Sequence, residues 1–120
     1  MHEAPSSEEL LGSVIGFLNH VAAPQLTGQA AFHARVAANA LALVEREIAQ
    51  RPAADARAQA LYADLLQDQT SLLEALTKQV CAHIRSGELS CDNPALLAAL
   101  REIASAQLAI DQPNYSGLMP

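Results

Sequence analysis

The sequence predicts an all-α protein: a compact bundle of about five mostly antiparallel helices, with the second helix at its centre. Three observations carry this expectation. Ala and Leu supply most of an apolar content of 51%, and both head the scale of helix propensity. Aromatic residues make up only 3% of the chain, and β-branched residues are also scarce, so the usual material of strands is missing. Capping residues, prolines and a glycine then divide the apolar periodicity into segments of helical length.

The first helix starts at SSEE, where Ser6 and Glu9 have the spacing of a capping box. Steps of about 100° per residue put Leu10, Val14, Phe17, Leu18 and Val21 on one face, the expected inward one. Pro24 should end this helix. The second helix should start near Thr27 and Gly28 and run to about Gln50. One side of it carries Val36, Ala37, Leu41, Val44 and Ile48, and the other Ala31, Ala34, Ala38 and Ala42. A helix apolar nearly all round is usually buried on several sides, which is the reason for placing it centrally. Pro52 suits the first turn of a third helix over 53–67, with Leu61, Tyr62, Leu65 and Leu66 facing inward. QDQTS breaks it. Ser71 and Glu74 repeat the capping-box spacing, so a fourth helix is expected over 71–86, with Gly87 as a left-handed terminator. Asn93 and Pro94 open a fifth helix that runs to Asp111 or Gln112, before Pro113.

At 120 residues the chain is expected to form one domain, with irregular tails at 1–6 and 114–120. The formal net charge is −6 and the seven basic residues are scattered. No basic stripe is available for nucleic acid. Apolar runs are interrupted well before the roughly 18 residues a membrane span needs. MHEAPSSEE lacks the charged-then-apolar layout of a secretory signal, so a cytoplasmic chain is expected. Cys81 and Cys91 then read as reduced thiols.

A few polar residues exceed what a plain helical core requires. Gln107 and Asp111 fall one turn apart on the stripe of Leu96, Leu97, Leu100, Ile103, Ala104 and Leu108. A helix C-terminus disfavours an anion, and so does burial. Asp111 should therefore cap the following turn, pair with Arg35 or Arg85, or belong to a ligand site. On the second helix, His33 sits near the centre of the Val36/Ala37/Val44 face, and Arg35 and Asn39 flank it. His33, Arg35, Asn39, Gln107 and Asp111 form the candidate polar site: either a packing network or the lining of a small-molecule pocket. His83 lands on its own helix's apolar stripe and reads as a core histidine. No nucleophile–base motif, Gly-rich phosphate loop, HExxH or Glu-x-x-His pair occurs, so no catalytic residue, metal or cofactor is assigned. Gly12 and Gly16, four apart and away from the expected core face, permit close approach by a subunit or partner.

FHARVAANAL in the second helix, CAHIRSGEL at 81–89, NPALLAALR at 93–101 and LAIDQPNYSG at 108–117 together resemble a family of small bacterial helical domains of unknown function. The resemblance spans residues 8–117. Its members occur alone, or fused to or encoded beside aminoglycoside-phosphotransferase-like kinases and acyl-CoA dehydrogenases. The resemblance thus implies a context and no reaction. The expectation is a non-catalytic accessory or interaction domain of such a system, forming homo-oligomers and contacting a kinase-like or acyl-CoA dehydrogenase partner. The rival is a small-molecule-binding protein or weak enzyme with a polar pocket around His33, Arg35, Asn39 and Asp111.

Overall fold

The structure, a computed structural model, describes residues 4–115. Residues 1–3 and 116–120 of the expected irregular tails lie outside the described residues. The described residues form four helices and no strand. Helix α1 is Ser7–Phe17, carried on by a π-helical turn, Leu18–Ala22, and a last α turn, Ala23–Gln25. Helices α2, α3 and α4 are Gly28–Leu66, Leu73–Ser86 and Pro94–Asp111.

The count is four rather than about five because the expected second and third helices are one. Pro52 lies inside α2 instead of opening a new helix. It removes a single donor, the N–H that would reach the Ile48 carbonyl, and its ring crowds that carbonyl. The residues around it, EIAQRPAADARAQA, are good helix formers that carry the ladder on from both sides. The interruption still marks the architecture. The chain divides into two compact units, Met1–Gln50 and Arg51–Pro120, and the division falls one residue before Pro52.

In the first unit, α1 starts as its sequence dictates. The Ser6 hydroxyl accepts from the Glu9 N–H at 3.1 Å, and the Glu9 carboxylate accepts from the Ser6 N–H at 3.2 Å. The helix runs one residue past Pro24, through a widened turn in which the Ala23 N–H reaches the Leu18 carbonyl. A proline ring collides with the carbonyl four residues back, and a π turn draws that carbonyl away. After Leu26 and Thr27 the chain re-enters a helix at Gly28, whose φ of +60° suits glycine. The packed side of α2 here is the alanine side: Ala31, Ala34 and Ala38 are buried. The faces expected inside are outside. Leu10, Val14, Phe17 and Val21 are exposed, and so are Val36, Val44 and Ile48. The physical reason is distance of approach. Alanines spaced three and four apart let a neighbouring helix come close, and the larger residues are then displaced to the flanks. The partly buried side of α1 carries Leu11 and Ile15, and a Cβ on Gly12 would lie 3.6 Å from the Glu45 carboxylate.

The second unit holds a conventional core. Tyr62 and Ala63 of α2, Leu76 and Val80 of α3, Leu89 and Leu96 pack together, with Leu65, Leu66, Leu73, Ile84 and Ile103 around them. Helix α2 ends in a left-handed residue, Gln67 at φ +54°, while the Asp68 N–H returns to the Ala63 carbonyl at 3.0 Å. This is the hydrogen bond of a Schellman end with glutamine where glycine is usual. Helix α3 starts two residues later than expected. Its N-cap is Leu72 and not Ser71, because the Ser71 hydroxyl is held by Asp68 at 2.6 Å. Gly87 ends α3 at φ +86°. The Asn93 side chain accepts from the N–H groups of Ala95 and Leu96, and Pro94 opens α4.

Two stability measurements check this account. Leu76 is fully buried and Leu97 is half exposed. Leu76→Ala should lower the unfolding free energy by about 3 kcal/mol, whereas Leu97→Ala should change it by less than about 0.5 kcal/mol, both read by urea denaturation. Pro52→Ala restores the missing donor and should raise stability by about 2 kcal/mol. No gain on that substitution would show that the helix break is already fully compensated.

Candidate functional site

The five expected site residues fall into two groups. His33, Arg35 and Asn39 lie on the first half of α2, in the first unit, and all three are exposed. The His33 ring stands edge-on to that of Phe32, with centroids 5.6 Å apart. Gln107 and Asp111 lie on the last turns of α4, in the second unit. The structure brings these two together: the Gln107 amide nitrogen donates to the Asp111 carboxylate at 2.8 Å.

Asp111 is exposed, so the cost that demanded a cap or a direct arginine partner does not arise. The turn after α4 closes on backbone groups, with Gln112 N–H to the Leu108 carbonyl at 2.7 Å and Tyr115 N–H to the Gln112 carbonyl at 2.9 Å. An arginine does take part, but it is Arg51. Its guanidinium donates to the Gln107 amide oxygen at 2.8 Å and lies 3.5 Å from Asp55. Asp55, Arg51, Gln107 and Asp111 thus form a polar relay from α2 to the end of α4. The Gln107 amide is oriented by it, oxygen toward the cation and nitrogen toward the anion. Sequence reasoning missed Arg51 because 56 residues separate it from Gln107, and nothing local in the sequence joins them.

A second polar pair lies on the same two helices. Arg57 of α2 is bonded to Glu102 of α4 through both carboxylate oxygens. That bond and its charge raise the Arg57 pKa above its usual value, and the Arg57 guanidinium holds Glu102 below the usual carboxylate range. The pair lines an open groove of about 380 Å³ with Leu61, Asp64, Leu65, Ala95, Ala98 and Ala99. The groove floor is apolar and its edge is charged, so its chemistry suits an aliphatic group with a polar end.

The densest network belongs to Asp68, between α2 and α3. Its carboxylate accepts from the Thr70 and Ser71 N–H groups at 3.1 Å each, the Thr70 hydroxyl at 3.2 Å, the Ser71 hydroxyl at 2.6 Å and the Gln79 amide at 3.3 Å. The Ser71 hydroxyl contributes most to lowering the Asp68 pKa, followed by the Thr70 N–H, and the carboxyl titrates far below its ordinary range. Asp-x-Thr-Ser in QDQTS was the legible signal for such a turn. Burial pushes the Tyr62 phenol up, with the neighbouring Cys81 thiol adding to it. Cys81 and Cys91 are free and exposed. His83 is half-buried, 3.6 Å from the Glu88 carboxylate. Among the described residues no group of three or more His, Cys, Asp and Glu side chains could hold a metal ion, and no helix is long and apolar enough to cross a membrane.

The described residues form a small all-helical protein whose cross-helix polar contacts are those of Arg51, Arg57 and Asp68. The model of a domain of unknown function, DUF6285, matches residues 24–115, and the chain belongs to that family. No curated protein and no solved structure matches it. The matched span covers α2, α3 and α4 and leaves out all of α1.

The depressed carboxyls set an acid dependence. A group whose pKa is lowered by folding stabilises the fold above its unfolded value, about 3.9 for Asp, and that contribution is lost as pH falls through the folded value. The melting temperature should be flat from pH 7 to about 5 and fall below pH 4. Asp68→Asn should melt lower at neutral pH and show a shallower acid fall, as read by circular dichroism. An unchanged acid profile in that variant would assign the dependence to other carboxylates.

Proposed function

We propose that this chain is a non-catalytic accessory domain that self-associates and docks on an enzyme of a phosphotransferase and acyl-CoA dehydrogenase system. One observation carries the reading. The first unit exposes a set of large apolar side chains, Leu10, Val14, Phe17 and Val21 on α1 with Val36, Val44 and Ile48 on α2, and exposed apolar patches of that extent mark protein–protein surfaces. The kind of partner comes from the sequence resemblance to small bacterial domains that travel with such kinases and dehydrogenases, an associational argument. The central position expected for the second helix belongs to the same proposal, since association would surround the first half of α2 with neighbours. In that reading the Arg51–Gln107–Asp111 relay and the Asp68 network are architecture, and His33, Arg35 and Asn39 are surface groups beside the docking face.

The test is reconstitution. The purified chain is titrated with an aminoglycoside-phosphotransferase-like kinase and with an acyl-CoA dehydrogenase from the same cells, and complex formation is followed by sedimentation velocity. The expected result is a defined-stoichiometry complex with one of them, with a Kd on the order of micromolar or tighter. Sedimentation of the chain apart from both enzymes at about 100 μM, far above such a Kd, would refute the accessory role.

A further inference from the structure

We infer that the α1 face of the first unit is the seat of a second copy of this chain, docked antiparallel about a twofold axis so that Leu10 of each copy meets Val21 of the other. The inference deepens the self-association in the proposed function and rests on it, but it needs no enzyme partner.

The first argument is what two helices can bury. Ala23, Ala31, Ala34 and Ala38 are the fully packed residues of this seam, with Leu11, Ile15, Leu18, Leu41 and Leu43 half-buried beside them. An alanine seam brings helices close but removes little apolar area from water, because each side chain is a single methyl group. Leu10, Val14, Phe17 and Val21 sit three and four residues apart, so they form one stripe along α1, and each is between 44% and 56% exposed. Val36, Val44 and Ile48 of α2 are also between 42% and 46% exposed, and a stable interface draws on the order of 600 Å² or more from each partner. Two such hairpins laid face to face make a four-helix bundle, the simplest arrangement that covers both stripes.

The second argument is charge, and it chooses the occupant and its direction. The two-residue link Leu26–Thr27 turns the chain back, and Gly12 lies beside Glu45, so the start of α1 and residues 45–47 share one end of the hairpin. That end carries Glu8, Glu9, Glu45 and Glu47 against Arg46. From Leu10 to Val44 there is no Asp or Glu, and the one formal charge in that stretch is the cation Arg35, which lies nearer the turn. The hairpin therefore has an acidic pole and a basic pole. A second copy with poles aligned would bring like charges together, whereas reversed poles pair opposite ones. For two stacked hairpins, a twofold axis across the helices reverses the poles and lays α1 over the partner's α1. On α1 the midpoint of the stripe falls between Val14 and Phe17, so Val14 meets Phe17 of the other copy and Leu10 meets Val21.

The test uses the full chain in a Cys81→Ser, Cys91→Ser background. Chains carrying Leu10→Cys are mixed with chains carrying Val21→Cys and oxidised gently. The expected product is the mixed disulfide, in clear excess over either homodimeric one. Sedimentation equilibrium should give twice the 12.7 kDa chain mass, and Val14→Glu with Phe17→Glu should raise the dimer dissociation constant by at least roughly tenfold, with helicity retained because both positions are exposed. A dimer that crosslinks Leu10→Cys to itself, or gives no disulfide at these positions, would overturn this interface while self-association stands. A chain monomeric at about 100 μM, far above a micromolar Kd, would overturn the interface and self-association together. Binding of the kinase or the dehydrogenase is read separately, in the titration above. Should the double Glu variant lose its helicity, the disulfide pairing still decides.

Discussion

The hydrogen-bond ladder of α2 is the constraint on which the rest depends. Gly28–Leu66 is one helix of 39 residues, and both compact units are built on it. Helix propagation adds one bond per residue fixed, so a single missing donor at Pro52 interrupts the ladder without stopping it when good helix formers lie on both sides. The proline's effect is felt in the packing instead. Residues before it pack by small side chains and residues after it by large ones, and the division between the units falls beside it.

The two halves of α2 show two ways of using a helical face. After Pro52, Tyr62 and Ala63 meet Leu76, Val80 and Leu96, and the large residues are inside. Before it, alanines are inside, Leu41 and Leu43 are half-buried, and Val36, Val44 and Ile48 are outside. The first arrangement is self-sufficient, since burying a Leu contributes about 1.5–3 kcal/mol. The second is not, since methyl groups contribute little and the larger side chains stay in water.

The polar residues divide in the same way. In the second unit they find partners across helices: Arg51 with Gln107, Arg57 with Glu102, and Asp68 with the turn that follows it. These are partly exposed interactions, so each contributes modestly to stability, and their larger effect is to set the register of α4 on α2. In the first unit His33, Arg35 and Asn39 stay at the surface.

What the sequence determined by itself was local. The helical class, the Ser6–Glu9 capping box, the Asn93–Pro94 start of α4 and the Gly87 end of α3 follow from backbone donors that only neighbouring residues can satisfy, so they are legible without a fold. The Asp68 turn was legible in the same sense, because Asp-x-Thr-Ser encodes it. Tertiary structure decided three things. It chose which face of the first two helices is packed, because helical periodicity shows that apolar stripes exist but not whether close alanine contact or a larger stripe wins the neighbour. It chose whether Pro52 begins a helix or interrupts one, because the same fixed φ suits both. And it gave Gln107 its cation, because Arg51 and Gln107 are 56 residues apart and meet only when α2 and α4 lie side by side.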